Sequence, residues 1–89
     1  MDKKIIIYTS RKCFYCLELK RYLLDMNLDF FEKEIEEERY LEEFKKLYEV
    51  TQTDALPTLF VGEHLLVPGK SFQKIKEIPE IIKKLISEK

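Results

Sequence analysis

Residues 4–9 form a β-branched apolar run of strand length, and within it Ile5, Ile6 and Ile7 leave no polar face. A strand of this kind belongs in the middle of a sheet, covered on both sides and beside a parallel neighbour. Directly after it comes Arg11-Lys12-Cys13-Phe14-Tyr15-Cys16, which holds both cysteines of the chain at a C-x-x-C spacing. Cys16, Leu19, Leu23 and Met26 then follow an i, i+3, i+7, i+10 pattern. That pattern lays one apolar stripe along a helix running to about Asn27, with Glu18, Lys20, Arg21 and Asp25 on its solvated face. The cysteines therefore sit where a buried strand turns into a helix. The first N–H groups of a helix lack internal partners and carry the positive end of its dipole, so they favour a thiolate at Cys13. Cys16 begins the apolar stripe and should face the core.

Further along, residues 27–29 suit a turn and residues 30–35 a second strand. Glu36, Glu37 and Glu38 open a helix containing Tyr40, Leu41, Phe44, Leu47 and Tyr48, where acidic side chains complement the dipole of a first turn. A polar loop over residues 51–55 leads to a strand over residues 56–61 that starts through Pro57. Gly62 and Glu63 supply a tight turn to a partner strand over residues 64–67. Pro68 and Gly69 end the sheet, a short helical turn is expected from Ser71 to about Glu77, and a last helix begins around Pro79 with Ile78, Ile81, Ile82, Leu85 and Ile86 on one side. The expectation is one α/β domain over residues 1–89, in the order β-α-β-α-β-β-α, with a four-stranded mixed sheet flanked by helices. No repeat, linker or low-complexity segment interrupts it.

Several function classes fall away on composition. Sixteen Lys and Arg are interleaved with seventeen Asp and Glu, for a net charge of -1, so the chain lacks the basic footprint of a nucleic-acid binder. No window approaches the roughly eighteen apolar residues of a membrane span. The first four residues and three isoleucines fall short of a signal peptide, so a cytoplasmic setting is expected. Thiols are mostly reduced there, and a C-x-x-C is then catalytic or metal-binding. A zinc site within one chain is disfavoured, because only His64 and carboxylates could complete the ligand set. No bound metal or cofactor is expected.

The chemistry that suits the spacing is thiol–disulfide exchange. A thiolate attacks a disulfide sulfur, and a second thiol nearby resolves the mixed disulfide. Cys13, at a helix start with Arg11 and Lys12 beside it, suits the nucleophile; Cys16, one turn deeper, suits the resolving thiol. Phe14 and Tyr15 would form an aromatic rim. Pro57, on its local sequence alone, suggests a strand start with a trans bond, since only about one X-Pro bond in twenty is cis.

Taken together, the strand, the C-x-x-C at a helix start and Leu56-Pro57-Thr58 before a hairpin resemble the glutaredoxins within the thioredoxin fold, over nearly the whole chain. The resemblance implies that Cys13 is the nucleophile, Cys16 the resolving cysteine, and Tyr15 a wall of a glutathione groove. It also implies that Pro57 is a cis-proline facing the cysteines, with the Leu56 backbone pairing with glutathione. Arg11, Lys12 and Lys70 are candidates for the carboxylates of glutathione or of a substrate protein. The implied protein is a monomeric, cytoplasmic oxidoreductase whose partners are glutathione or disulfide-containing proteins.

The sequence departs from the family pattern at three places. Phe14 stands where proline is common, and Ala55 where threonine is usual. The Gly-Gly and Asp that hold the γ-glutamyl end of glutathione have no match: Val67 and Pro68 take the place of the glycines. Ser71 could assume part of the aspartate's role as a helix N-cap, without its charge. This divergence keeps a second reading open, a hydrogen donor of ribonucleotide reductase reduced by thioredoxin reductase, although the Trp-Ser-Gly-Phe-Arg-Pro run of that group is missing. A third reading is an iron–sulfur scaffold in which Cys13 thiolates of two chains and two glutathiones hold a cluster. A fourth is an interaction module with an idle cysteine pair.

Overall fold

The isoleucine run becomes the centre of the sheet. In the computed structural model, which describes residues 4–87, β1 (Ile5–Thr9) is flanked by β2 (Phe31–Glu34) and β3 (Thr58–Val61), and β4 (His64–Leu66) closes the order β2-β1-β3-β4. β1 pairs parallel with β2 and antiparallel with β3, and β3 pairs antiparallel with β4. A parallel pair needs a crossover, which α1 (Phe14–Asp25) supplies. The remaining elements are α2 (Glu38–Thr51), a single 3-10 turn (Ile75–Glu77) and α3 (Ile78–Ser87). The order β-α-β-α-β-β-α and the mixed four-stranded sheet agree with the sequence expectation.

The two faces of β1 are used differently. Ile5 and Ile7 join Leu19 and Leu23 of α1, Leu59 and Val61 of β3, and Ile78 and Ile82 of α3 in one core. Seven of these eight, all but Ile5, are completely inaccessible to solvent, and each such side chain contributes about 1.5–3 kcal/mol by leaving water. On the opposite face Tyr8 stacks at a tilt on Phe44 of α2, with ring centroids 5.9 Å apart, and Phe31 meets Tyr40 edge-on at 6.4 Å. β1 is thus covered on both sides, as a strand with no polar face requires.

Boundaries moved where tertiary contacts outweigh local pattern. α1 ends at Asp25 rather than near Asn27, because Asn27 takes a left-handed φ of 58°. α2 starts two residues later than the acidic run suggests, and it continues to Thr51, into the expected loop. The strands are each shorter than expected: β2 omits Phe30 and Ile35, β3 begins at Thr58, and β4 stops at Leu66. The helical turn expected from Ser71 is a correction. Phe72 forms a parallel bridge with Pro68, and only Ile75–Glu77 is helical. Among the described residues no helix is long and apolar enough to cross a membrane. Residues 1–3, part of the stretch weighed as a leader, lie outside the described residues.

Candidate active site

β1 ends at Thr9, and a turn over residues 10–12 delivers Cys13 to the start of α1. Cys13 is the N-cap, with extended φ and ψ of -91° and 108°, and its Sγ accepts the Cys16 backbone N–H at 3.1 Å. A sulfur atom thus occupies the place usually taken by a Ser or Asp oxygen. Cys13 and Cys16 form a disulfide, with Cα atoms 5.2 Å apart. Cys16 is 1% exposed and Cys13 is half-buried, so only one of the two sulfur-bearing residues is open to a partner. On reduction the donor that meets the Cys13 sulfur would meet a thiolate, and a hydrogen bond to an ionised acceptor is roughly twice as strong as a neutral one.

The antiparallel pairing of Tyr8 with Thr58 brings the start of β3 to the same end of the sheet as the cysteine turn. Here the Leu56-Pro57 bond is cis, as the family resemblance implies and against the local preference. Pro57 and Thr58 are buried, and the Thr58 hydroxyl donates to the Ala55 carbonyl at 3.0 Å, which closes the turn before the strand. A cleft of about 510 Å³ opens between this turn and the first turns of α1, lined by Tyr15, Glu18, Leu56, Gln73, Lys74 and Lys76 among others. A smaller one of about 170 Å³ adjoins the cysteines on the side of Arg11, Lys12 and Lys20. Phe14 and Tyr15 are 81% and 63% exposed and stand as an aromatic rim beside the pair.

Of the residues anticipated from sequence, Cys13, Cys16, Arg11 and Lys12 lie together around the smaller cleft, and Tyr15 and Leu56 wall the larger one. Lys70 and Ser71 do not line either. The Lys70 ammonium donates to the Thr51 carbonyl at the end of α2. The Ser71 hydroxyl accepts the Val67 N–H at 2.9 Å and so closes the turn after β4 instead of capping a helix, which corrects the N-cap expectation. Glu18, Gln73, Lys74 and Lys76 were not anticipated. Glu18 looks like ordinary helix surface in sequence, and the lysines reach the cleft only because the chain after β4 folds back through the bridge of Phe72 to Pro68.

Three glutamates spaced two apart hold the neighbourhood of the cysteines. Glu32 accepts from the Thr9 hydroxyl at 2.7 Å and from the Lys20 ammonium at 2.9 Å. Burial pushes its carboxyl up, but the Lys20 and Thr9 contacts outweigh that and hold it below the usual carboxylate range. Glu34 lies 3.5 Å from the Arg11 guanidinium. Glu36 accepts from the Ser10 hydroxyl at 2.6 Å, the main cause of its lowered pKa, and from the Arg11 backbone N–H at 3.1 Å. On the other face of the sheet, Glu43 accepts from Lys33 at 2.7 Å and from the Tyr8 hydroxyl at 2.9 Å. These contacts lower the Glu43 pKa, while burial and then Glu43 raise that of Tyr8. Among the described residues no group of three or more His, Cys, Asp or Glu is arranged to hold a metal ion.

Comparison with known proteins agrees with this architecture. The glutaredoxin family profile matches residues 5–66. Among solved structures, the glutaredoxin-like protein NrdH-redoxin from Escherichia coli is 22% identical with a TM-score of 0.70, covering 97% of this chain and 99% of its own. The buckwheat glutaredoxin-glutathione complex is 14% identical with a TM-score of 0.76, over 96% of this chain and 77% of that one. Glutaredoxin from Brucella melitensis is 20% identical with a TM-score of 0.69, over 99% and 94% respectively. No curated protein matches the sequence significantly. With a family profile spanning more than half of its length and a cysteine pair at the helix start, the chain belongs to the glutaredoxin family.

Proposed function

We propose that the protein is a dithiol oxidoreductase that reduces disulfides of proteins or mixed disulfides of glutathione, with Cys13 attacking and Cys16 resolving. The observation that carries this reading is the placement of Cys13 Sγ as an N-cap on the Cys16 N–H. The Cys13 thiolate attacks one sulfur of the substrate disulfide, whose S–S bond breaks, and the first thiol leaves with a proton. Cys16 then loses its proton and attacks Cys13 Sγ, releasing the second substrate thiol. The pair ends as the disulfide, and two electrons have passed to the substrate. Tyr15 and Leu56 form walls against which the substrate backbone rests, while Arg11 and Lys12 offer charge to its carboxylates. Lys70 is the weaker candidate for that work, because its ammonium is engaged by Thr51.

Glutathione is the reductant and co-substrate in this reading, and the cleft of about 510 Å³ suits a molecule of tripeptide size. The protein acts as a monomer in the cytoplasm, where the disulfide is returned to the dithiol. A second reading, reduction by thioredoxin reductase, is favoured by Val67 and Pro68 at the positions of the family glycines, with Val67 buried. It is also supported by the likeness to NrdH-redoxin, described as having a thioredoxin-like activity profile. The deciding experiment follows recovery of the two thiols from the oxidised protein, with glutathione plus glutathione reductase in one arm and thioredoxin reductase in the other. Rapid recovery in the glutathione arm supports the first reading, and recovery confined to the thioredoxin reductase arm supports the second. Failure of both arms, with no disulfide reductase activity, removes the oxidoreductase assignment.

A further inference from the structure

The turn that carries Cys13 is held from outside its own segment. Glu36, two residues beyond β2, takes the Ser10 hydroxyl on one carboxylate oxygen at 2.6 Å and reaches the Arg11 backbone nitrogen with both, at 3.1 and 3.3 Å. Ser10 passes this anchorage on. Its hydroxyl oxygen accepts the Lys12 N–H at 3.2 Å, and its carbonyl accepts the Cys13 N–H at 3.0 Å. The Ile35 N–H donates to the Thr9 carbonyl at 2.8 Å, which keeps the two connecting segments side by side. With the Cys13 amide bound to Ser10, the Cys16 amide is the one that meets the Cys13 sulfur. The charged groups around this contact are Arg11, paired with Glu34 at 3.5 Å, exposed Lys12, and Lys20, paired with Glu32 at 2.9 Å.

We propose that Glu36 is a positioning residue: by clamping Ser10 and the Arg11 amide it holds Cys13 in the N-cap conformation that brings the Cys16 N–H to its sulfur, and so sets the reactivity of the Cys13 thiolate. The proposal rests on the reading of Cys13 as the nucleophile. Two effects of removing Glu36 oppose each other. Loss of a negative charge near the sulfur favours the thiolate, whereas release of the turn withdraws its hydrogen-bond donor. The charge is exposed, has Arg11 beside it and is screened by salt, while the Cys16 N–H bond is direct and charge-assisted, so the geometric effect wins.

The test alkylates the reduced protein with iodoacetamide across pH and assigns Cys13 by mass, in the wild type, Glu36→Ala, Glu36→Gln, Ser10→Ala and the Glu36→Ala/Ser10→Ala double variant. Glu36→Ala and Ser10→Ala should each raise the midpoint of Cys13 alkylation, slowing the reaction at pH 6 by about three- to tenfold, since one pK unit is a factor of ten. The double variant should be no worse than either single one, because both break the same chain of bonds. Glu36→Gln, which keeps an acceptor oxygen, should fall between wild type and Glu36→Ala. A midpoint that falls in both Glu36 variants would make the charge the operative feature and overturn the proposal. So would a lower melting temperature with an unmoved midpoint, or additive effects in the double variant. Should Glu36→Ala not fold, Glu36→Gln and Ser10→Ala still decide the matter by the same shifts. A wild-type midpoint near the ordinary thiol value of about 8.5 would overturn the nucleophile reading and the proposal with it. An activated wild type with an indifferent Glu36→Ala would overturn the proposal alone.

Discussion

At the scale of single residues, the asymmetry between the cysteines is the feature with chemical consequence. Cys13 is reachable and has a donor on its sulfur, while Cys16 is buried at the head of the apolar stripe. Cys13→Ser should therefore reduce disulfide reductase activity to the uncatalysed rate. Cys16→Ser should still attack but fail to resolve, so that a one-to-one mixed disulfide accumulates, as intact-mass measurement would detect. Equal losses with no trapped adduct in Cys16→Ser would contradict the assigned order. Tyr8 shows a residue whose part is structural. Its hydroxyl shares Glu43 with Lys33, and its ring packs on Phe44. Tyr8→Phe keeps the ring and leaves Glu43 with Lys33, so the expected cost is about 1 kcal/mol, the net value of one hydrogen bond. Urea unfolding at pH 7 measures it, and an unchanged midpoint would show that the hydroxyl contributes nothing.

At the scale of elements, legibility tracked the range of the interactions. β1 and α1 could be recognised because Ile5 to Ile7 and the Cys16, Leu19, Leu23 stripe are dictated by burial, which has a fixed period in each element. The start of α2 could not, because Glu36 looks like a first-turn acid and is instead drawn to Ser10 and Arg11, some 25 residues earlier. Ser71 was misplaced for the same reason: its hydroxyl closes the turn from Val67, and a polar residue after Pro-Gly looks the same in sequence whichever amide it accepts. The cleft lysines Lys74 and Lys76 depend on the bridge of Phe72 to Pro68, which has no local signature. The end of α2 makes its own prediction. Gln52 takes a left-handed φ of 61° and donates its N–H to the Tyr48 carbonyl, a C-terminal position that favours glycine. Gln52→Gly relieves about 1–2 kcal/mol of left-handed cost. It also loses the 2.8 Å bond from the Gln52 side-chain amide to the Glu49 carbonyl. A net gain of about 0.5 kcal/mol in unfolding free energy is expected, with activity unchanged. A loss would mean that the side-chain bond outweighs the backbone strain.

At the scale of the whole molecule, the carboxylates that join separate elements share one dependence on pH. Glu32 ties β2 to β1 and α1, Glu36 ties the segment before α2 to the cysteine turn, and Glu43 ties α2 to β1 and β2. All three have lowered pKa values in the fold. For a carboxyl whose folded pKa lies below its unfolded one, the unfolded chain binds the proton first as pH falls. The stability it contributes is therefore complete above the ordinary Glu value of about 4.3 and is lost as pH drops through the lower folded values. The protein should accordingly lose stability between about pH 5 and pH 3. A Glu32→Gln/Glu36→Gln/Glu43→Gln variant should start less stable at pH 7 and lose less over that interval, so that the two curves converge at low pH. Thermal or urea unfolding at pH 7, 5, 4 and 3 gives both curves. Parallel curves would mean that groups other than these three glutamates carry the acid sensitivity.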